Sequence, residues 1–328
     1  MPVQITIIGL GQIGASMGLA LAAHKELVVT VGHDKDYSVE QRAKKNGVVN
    51  TTNHNLPSSV ENADMVILAL PVHEIRDTFK YIAQDIKKDA VIVETSPIKA
   101  EVAKWAKELL PETVYYVGLA PAIGTNYLDL KESGLDSAKA DLFAKSIFLL
   151  SAPSGTPGNA VKLVSDFVGL LGGTAMMTDL LESDGLMTSA HLLPGLVSAA
   201  LLNATTNQPG WQETRKVASR GYFSSTSALE FETAESIAAL SVQNRENVIR
   251  ALNTLMNALL DLRDDLENKD DESLKRHLQS AQAGRLNWLE DRGRADWNRA
   301  PVEKVEKVSI MESLLGSKLG KMGKRKEE

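Results

Sequence analysis

Residues 3–34, VQITIIGLGQIGASMGLALAAHKELVVTVGHD, decide the fold. Ile5, Thr6, Ile7 and Ile8 form a short β-branched run, as expected of a parallel strand covered by helices on both faces. Gly9, Gly11 and Gly14 follow at the spacing G-x-G-x-x-G. In such a turn the first glycine permits a sharp reversal. The second lets the backbone approach a pyrophosphate, and the third lets the next helix pack closely on the strand. A helix opening near Gln12, with Ile13, Met17, Ala20 and Leu21 at helical spacing, points unpaired N–H groups and its positive dipole end at that anion. Leu27 to Val31 read as a second strand. Asp34 stands 20 residues beyond Gly14, where a carboxylate accepts hydrogen bonds from ribose hydroxyls. Strand, turn, helix, strand and acid in this order predict a dinucleotide site formed by Gly9, Leu10, Gly11, Gln12, Ile13, Gly14 and Asp34. The Asp34 carboxylate favours NAD, while His33 and Lys35 beside it keep NADP as the alternative.

Working outward, Val39–Lys45 reads as a helix stopped by Asn46 and Gly47. DMVILALP, Asp64 to Pro71, is the most hydrophobic strand, and its end at Leu70 and Pro71 falls on the rim of the cofactor crevice. Ile75–Ile86 is a helix, Ala90–Thr95 a strand, Lys99–Leu110 a helix and Val114–Leu119 a strand. That alternation predicts an α/β fold, a doubly wound parallel sheet of the Rossmann kind. SAPSGTPGNA, Ser151 to Ala160, is a proline-, glycine- and serine-rich break. Beyond it the chain reads as helices almost throughout, with long apolar runs at Val161–Leu171, Leu180–Asn203 and Ala234–Leu266. The expected organisation is a dinucleotide-binding domain over 1–155, a helical substrate and dimerisation domain over 156–300, and a charged tail over 301–328. Helices apolar on more than one face call for a further partner, and a second copy of the chain is the simplest.

Composition narrows the function classes. A net charge of −6 argues against a general nucleic-acid binder, which needs clustered Lys and Arg. Basic residues gather only in the tail, read as a solvated terminus. The absence of cysteine excludes disulfides, thiolate catalysis and Cys-ligated metals. The first strand begins almost at Met1, so no signal peptide is expected, and no uninterrupted apolar run is long enough to span a membrane. A cytoplasmic protein is the expectation. No grouping of His, Asp and Glu has metal-ligand spacing, so no metal is expected either.

Several segments taken together resemble the prephenate and arogenate dehydrogenase family of tyrosine biosynthesis. GLGQIGASMGLAL, ADMVILALPVHEI, VIVETSPIKAEV, LF…LLSAP at 142–153, SDGLMTSAHLLPGL and ETR at 213–215 fall in the family's order over residues 3–290. The resemblance implies a Rossmann domain followed by a helical dimerisation domain. It also implies oxidative decarboxylation: hydride leaves the ring carbon bearing a hydroxyl, and the ring carboxylate departs as carbon dioxide. Such a site needs a proton acceptor, a hydroxyl beside it and a cation for a substrate carboxylate.

The catalytic positions depart from the family. Its loop histidine, in an HPMAG-like segment, is replaced in APAIG by Ala120. The serine of its GSVK-like loop gives way to Pro97 in SPIK, leaving Ser96 and the matching Lys99. Its SHLPH becomes HLLPG, with His191 one position early relative to Pro194 and Gly195 in place of the last histidine. A shift of one residue turns a side chain by about 100° on a helix. Arg215 matches the family arginine, whose planar fork suits a carboxylate, and Asn244 fits a family helix position.

The expected catalytic residues are therefore Ser96, His191 and Lys99, with Arg215 on a small carboxylate substrate. Three of these have a plainer reading: His191 as a core or interface histidine, Lys99 as a first-turn surface lysine and not a contact to substrate or an anchor of its loop, and Arg215 in a structural ion pair with Glu213. His73 lines the nicotinamide pocket or merely starts a helix, and Glu182 and Asp184 read as a solvated helix face. A dehydrogenase of another small hydroxy acid, or a silent dinucleotide-binding protein, are the alternatives to the family's own reaction.

Overall fold

The computed structural model describes residues 2–130 and 132–297, so the tail expected over 301–328 lies outside the described residues. They group into one compact unit that runs to Ala283 and a second that begins at Gly284. In chain order the strands are β1 (Val3–Ile8), β2 (Val28–His33), β3 (Thr51–Thr52), β4 (Met65–Leu68), β5 (Val91–Glu94), β6 (Tyr115–Pro121), β7 (Ile147–Ser151) and β8 (Thr174–Met177). The helices between and after them are α1 (Gln12–Leu21), α2 (Tyr37–Lys45), α3 (Leu56–Val60), α4 (Val72–Ile82), α5 (Ala100–Leu109) and α6 (Gly158–Leu170). α7 (Leu180–Met187) and α8 (Leu193–Thr206) follow, then α9 (Trp211–Val217), α10 (Arg220–Thr226), α11 (Ala234–Gln243), α12 (Arg245–Glu267) and α13 (Asp271–Arg294).

The strands form one sheet in the order β3-β2-β1-β4-β5-β6-β7-β8. All neighbours are parallel except β6 and β7. The order reverses between β1 and β4, and the crevice at that switch point is where a doubly wound sheet holds its ligand. Ile7 and Ile67 belong to one apolar cluster, with Met17 of α1 and Val164 of α6. Ile8 and Val66 belong to a second, with Phe79 of α4 and Trp105 of α5. Alternate residues of each strand thus feed opposite layers, the expected consequence of a period of two.

The sheet does not stop at the proline- and glycine-rich break near 155. α6 crosses over, and β8 pairs with β7 from Ile147 opposite Thr174 to Leu150 opposite Met177. The α/β layer therefore runs to Met177, and the helical part begins at α7. Leu192, Leu240 and Val248 enter the cluster of α4 and α5, so the helical part is seated on that face of the sheet.

Leu180–Thr206 is long and apolar enough to cross a membrane by length and composition, although polar residues interrupt it, and 22% of its apolar window is buried. It is not a plain helix. A π-helical turn over Thr188–Leu192 interrupts it between α7 and α8, and it carries buried Asp184. The run expected over Ala234–Leu266 is also broken: Asn244 leaves helical geometry, at φ −118° and ψ 35°, between α11 and α12.

Candidate functional site

β1 ends in the glycine turn. Gly9 has φ +92°, and a Cβ there would lie 2.4 Å from the Ala69 carbonyl oxygen. A Cβ on Gly14 would lie 2.0 Å from the Gly9 carbonyl oxygen, so helix, turn and the segment after β4 touch backbone to backbone. A Cβ on Gly11 would meet nothing within 4 Å. α1 then starts at Gln12 with no side chain capping its first N–H groups. A tight turn, an open second glycine and an uncapped helix start form a cradle for a pyrophosphate.

Asp34 sits at the tip of β2, beside that cradle. Its Oδ2 accepts from the Leu10 N–H at 2.9 Å and its Oδ1 from the Asp36 N–H at 2.9 Å. Each oxygen keeps a lone pair for a hydroxyl. Lys35 reaches away and pairs with Glu74 at 2.6 Å. Pro71 caps α4, which starts at Val72, three residues earlier than its apolar periodicity suggested. These residues fit a dinucleotide.

A buried polar network lies beneath the crevice. Lys99 is fully enclosed, contrary to a surface reading, and its Nζ donates to Glu94 Oε1 at 2.6 Å. The Tyr116 hydroxyl donates to the same carboxylate at 2.8 Å, and the Ser96 N–H donates to its other oxygen at 2.7 Å. Gly118 makes room for the lysine stem, since a Cβ there would lie 2.5 Å from Lys99 Cδ. Burial pushes the Lys99 ammonium down from its usual range, and Glu94 opposes that shift. Lys99 thus anchors the β5–α5 loop and does not face the crevice. Ser96 is also buried, and its hydroxyl donates to the Ile98 carbonyl at 3.0 Å.

The network continues into the helical part through Asp184. This residue was expected on a solvated face, yet it is 5% exposed. Its carboxylate accepts from the Lys99 N–H at 2.5 Å and the Ala100 N–H at 3.2 Å, capping α5. Burial raises its carboxyl, against the lowering effect of those two donors. Its own carbonyl accepts from Asn244 Nδ2 at 3.0 Å, and the same amide donates to Thr188 Oγ1 at 2.7 Å. Asn244 therefore braces the first residue of the π turn.

The π turn bears on the offset seen in HLLPG. A π turn closes i→i+5 and so absorbs a residue, and such bulges recur at functional sites. Here it contains His191, whose Nε2 lies 2.9 Å from Glu232 Oε1. An ionised carboxylate only accepts, so Nε2 carries the hydrogen and Nδ1 is left as the basic nitrogen. Ser236 Oγ donates to the other oxygen of Glu232. Burial pushes the Glu232 carboxyl up, but the hydrogen bonds from His191 and Ser236 outweigh it and hold the carboxyl below the usual glutamate range, with His73 contributing. His73 is the second residue of α4, just past Pro71, and its charge reaches Glu232.

His191 and Glu232 line a pocket of about 240 Å³ with Pro194, Gly195, Ala228 and Phe231. The structure does not bring the other expected site residues there. Arg215 is on the exposed surface of α9, Lys99 is enclosed, Ser96 is turned inward, and none of the three lines the pocket. Glu232 carried no signal in the sequence. Asn244 did, as a position common to the family, though without its bracing role.

The glycine cradle, the acid at the tip of β2 and the helical part on one face define a Rossmann dinucleotide-binding protein. Residues 17–177 match the family described as prephenate dehydrogenase, nucleotide-binding domain. The chain is 26% identical to cyclohexadienyl dehydrogenase of Zymomonas mobilis over 86% of this chain and 95% of that protein. It is 24% identical to prephenate dehydrogenase of Bacillus subtilis over 84% of this chain and 74% of that one. The crystal structure of prephenate dehydrogenase from A. aeolicus, in complex with hydroxyphenyl propionate and NAD+, shares the fold. Its TM-score is 0.78 at 19% identity, covering 88% of this chain and 98% of that chain. The nucleotide-binding part of the chain, residues 17–177, belongs to the prephenate dehydrogenase family.

Proposed function

We propose that the protein is an NAD-dependent dehydrogenase that oxidatively decarboxylates prephenate or arogenate in tyrosine biosynthesis. The observation that carries this reading is the His191–Glu232 pair, 2.9 Å apart, with the imidazole carried on the π turn. Ala120, at the position of the family's loop histidine, is enclosed in β6 opposite Leu149 and offers no proton acceptor. His191 takes over that task. Its Nδ1 accepts the proton of the substrate hydroxyl while Glu232 holds the ring in the required tautomer and offsets the charge it gains.

Gly9, Gly11, Gly14 and the start of α1 would hold the pyrophosphate, Asp34 the adenine ribose, and Leu70 and Pro71 the far wall. NAD, when bound, supplies the hydride acceptor. The Asp34 carboxylate repels a 2′-phosphate, and Lys35 is engaged by Glu74, so NAD is preferred over NADP. The substrate is a small carboxylate, with Arg215 retained as its candidate partner through the assembled protein.

We also infer a cytoplasmic homodimer formed through the helical part. Ile249, Met256, Leu259 and Leu260 are exposed along α12, an apolar surface that a second copy would cover. Sedimentation at micromolar concentration checks this, and a monomer there contradicts it. The activity is tested by following NAD and NADP reduction with prephenate and with arogenate. Reduction of NAD with one of the two is expected. Tight NAD binding without turnover on either overturns the assignment.

A further inference from the structure

At the adenosine end of the crevice three donor side chains converge from separate elements. His33 ends β2, Glu40 lies in α2, and His54 follows β3. His33 Nδ1 lies 3.4 Å from Glu40 Oε1, and His54 Nδ1 lies 3.2 Å from the same oxygen. The Asn53 carbonyl oxygen is 3.0 Å from His33 Nδ1. All three side-chain donor atoms lie within 4.8 Å of one another. With bonds of about 2.0–2.1 Å, the edges of a tetrahedron around zinc measure about 3.3 Å, which both histidine-to-Glu40 separations match.

The carboxylate at the centre needs compensation. Glu40 is 1% exposed, and among the described residues its ion pairs are with the two histidines. Its Oε1 also accepts from the Asp34 N–H at 2.9 Å, while its Oε2 is buried with no hydrogen-bond partner. An ionised carboxylate buried this way is costly unless a charge and a full set of partners meet it. A divalent ion supplies both, because it can take the second oxygen as well as the first. Tyr37 packs edge-on against His54, at 5.4 Å between ring centres, and steadies that imidazole.

We propose that His33, Glu40 and His54, with the Asn53 carbonyl, form a binding site for a divalent transition metal of the zinc class. Nitrogen donors favour that class over calcium or magnesium. The ion would clip β2, α2 and the segment after β3 together. Since Glu40 also holds the Asp34 backbone, the clip would fix the acid that faces the ribose. The spacing 33, 40 and 54 follows no sequence pattern for metal ligands, which is why the sequence gave no sign of it.

The test uses the untagged full-length protein, stripped with a chelator and dialysed against zinc chloride. Bound zinc is measured by elemental analysis and its affinity by competition with a chromogenic chelator. One zinc per chain is expected for the natural sequence. His54→Ala should weaken binding at least a hundredfold and abolish any zinc-dependent rise in melting temperature. Because His54 is half exposed, this variant should fold, and circular dichroism checks that it does. Glu40→Gln should give the same loss of zinc. No stoichiometric zinc on the natural sequence overturns the proposal, leaving a trio held by hydrogens on the imidazoles. Equal retention by His54→Ala also overturns it, since the zinc then sits elsewhere.

Discussion

The glycine turn and the π turn each hold residues of the proposed site, and they are themselves held in place by opposite means. The turn at Gly9–Gly14 is specified by its own residues, through a left-handed φ and backbone contacts that only a missing side chain permits. The π turn at Thr188–Leu192 is specified from outside, by Asp184 and by Asn244 some 56 residues away. A local device fails locally when it is altered. A braced one fails through its supports, and changes remote from the pocket should reach His191.

The deepest support gives the largest expected effect. Lys99→Met leaves Glu94 ionised and enclosed, and removal of one partner from a buried pair costs about 3–5 kcal/mol. Chemical denaturation measures this. Combining Lys99→Met with Glu94→Leu should recover part of the loss, because apolar replacements of a whole buried pair are often tolerated. Next comes the local device. Gly14→Ala places a Cβ 2.0 Å from the Gly9 carbonyl oxygen, so the turn must open. Overpacking of this kind costs about 1–3 kcal/mol, and calorimetry should show it mainly as weakened NAD binding.

Asn244→Ala sharpens the comparison. It removes two buried hydrogen bonds, at a cost of about 1–3 kcal/mol where a carbonyl is left unsatisfied, and releases the π turn. kcat should fall while the NAD dissociation constant is unchanged, whereas Gly14→Ala should do the reverse. The smallest effect is on pH dependence. The folded Glu232 carboxyl lies below the ordinary value of 4.5. Its pairing therefore contributes fully above that value and is lost as the pH falls through the lower folded value. Glu232→Gln should flatten that acid limb of the stability profile while lowering kcat.

The same contrast explains what could be read in the sequence. β1, α1, β2 and Asp34 were legible because turn, periodicity and spacing all lie within 32 residues. β3 has two residues and hence no periodicity, and β8 reads TAMM, without a β-branched run, so neither edge strand declared itself. Asp184 reads as one more acid on a helix until the fold carries it 85 residues back to Lys99. Asn244 breaks a run that was apolar enough to continue. The offset of His191 was visible, but the π turn that accommodates it depends on partners no local pattern names.

The most direct measurement compares single-turnover rates of the natural sequence and His191→Asn across pH, at saturating NAD and the preferred substrate. The expected result is a loss of about 10²- to 10⁴-fold in His191→Asn, with the ascending acid limb of the rate profile abolished and the NAD dissociation constant unaltered. A rate within a fewfold of the natural protein, with the same pH profile, would contradict the assignment of His191 as the base.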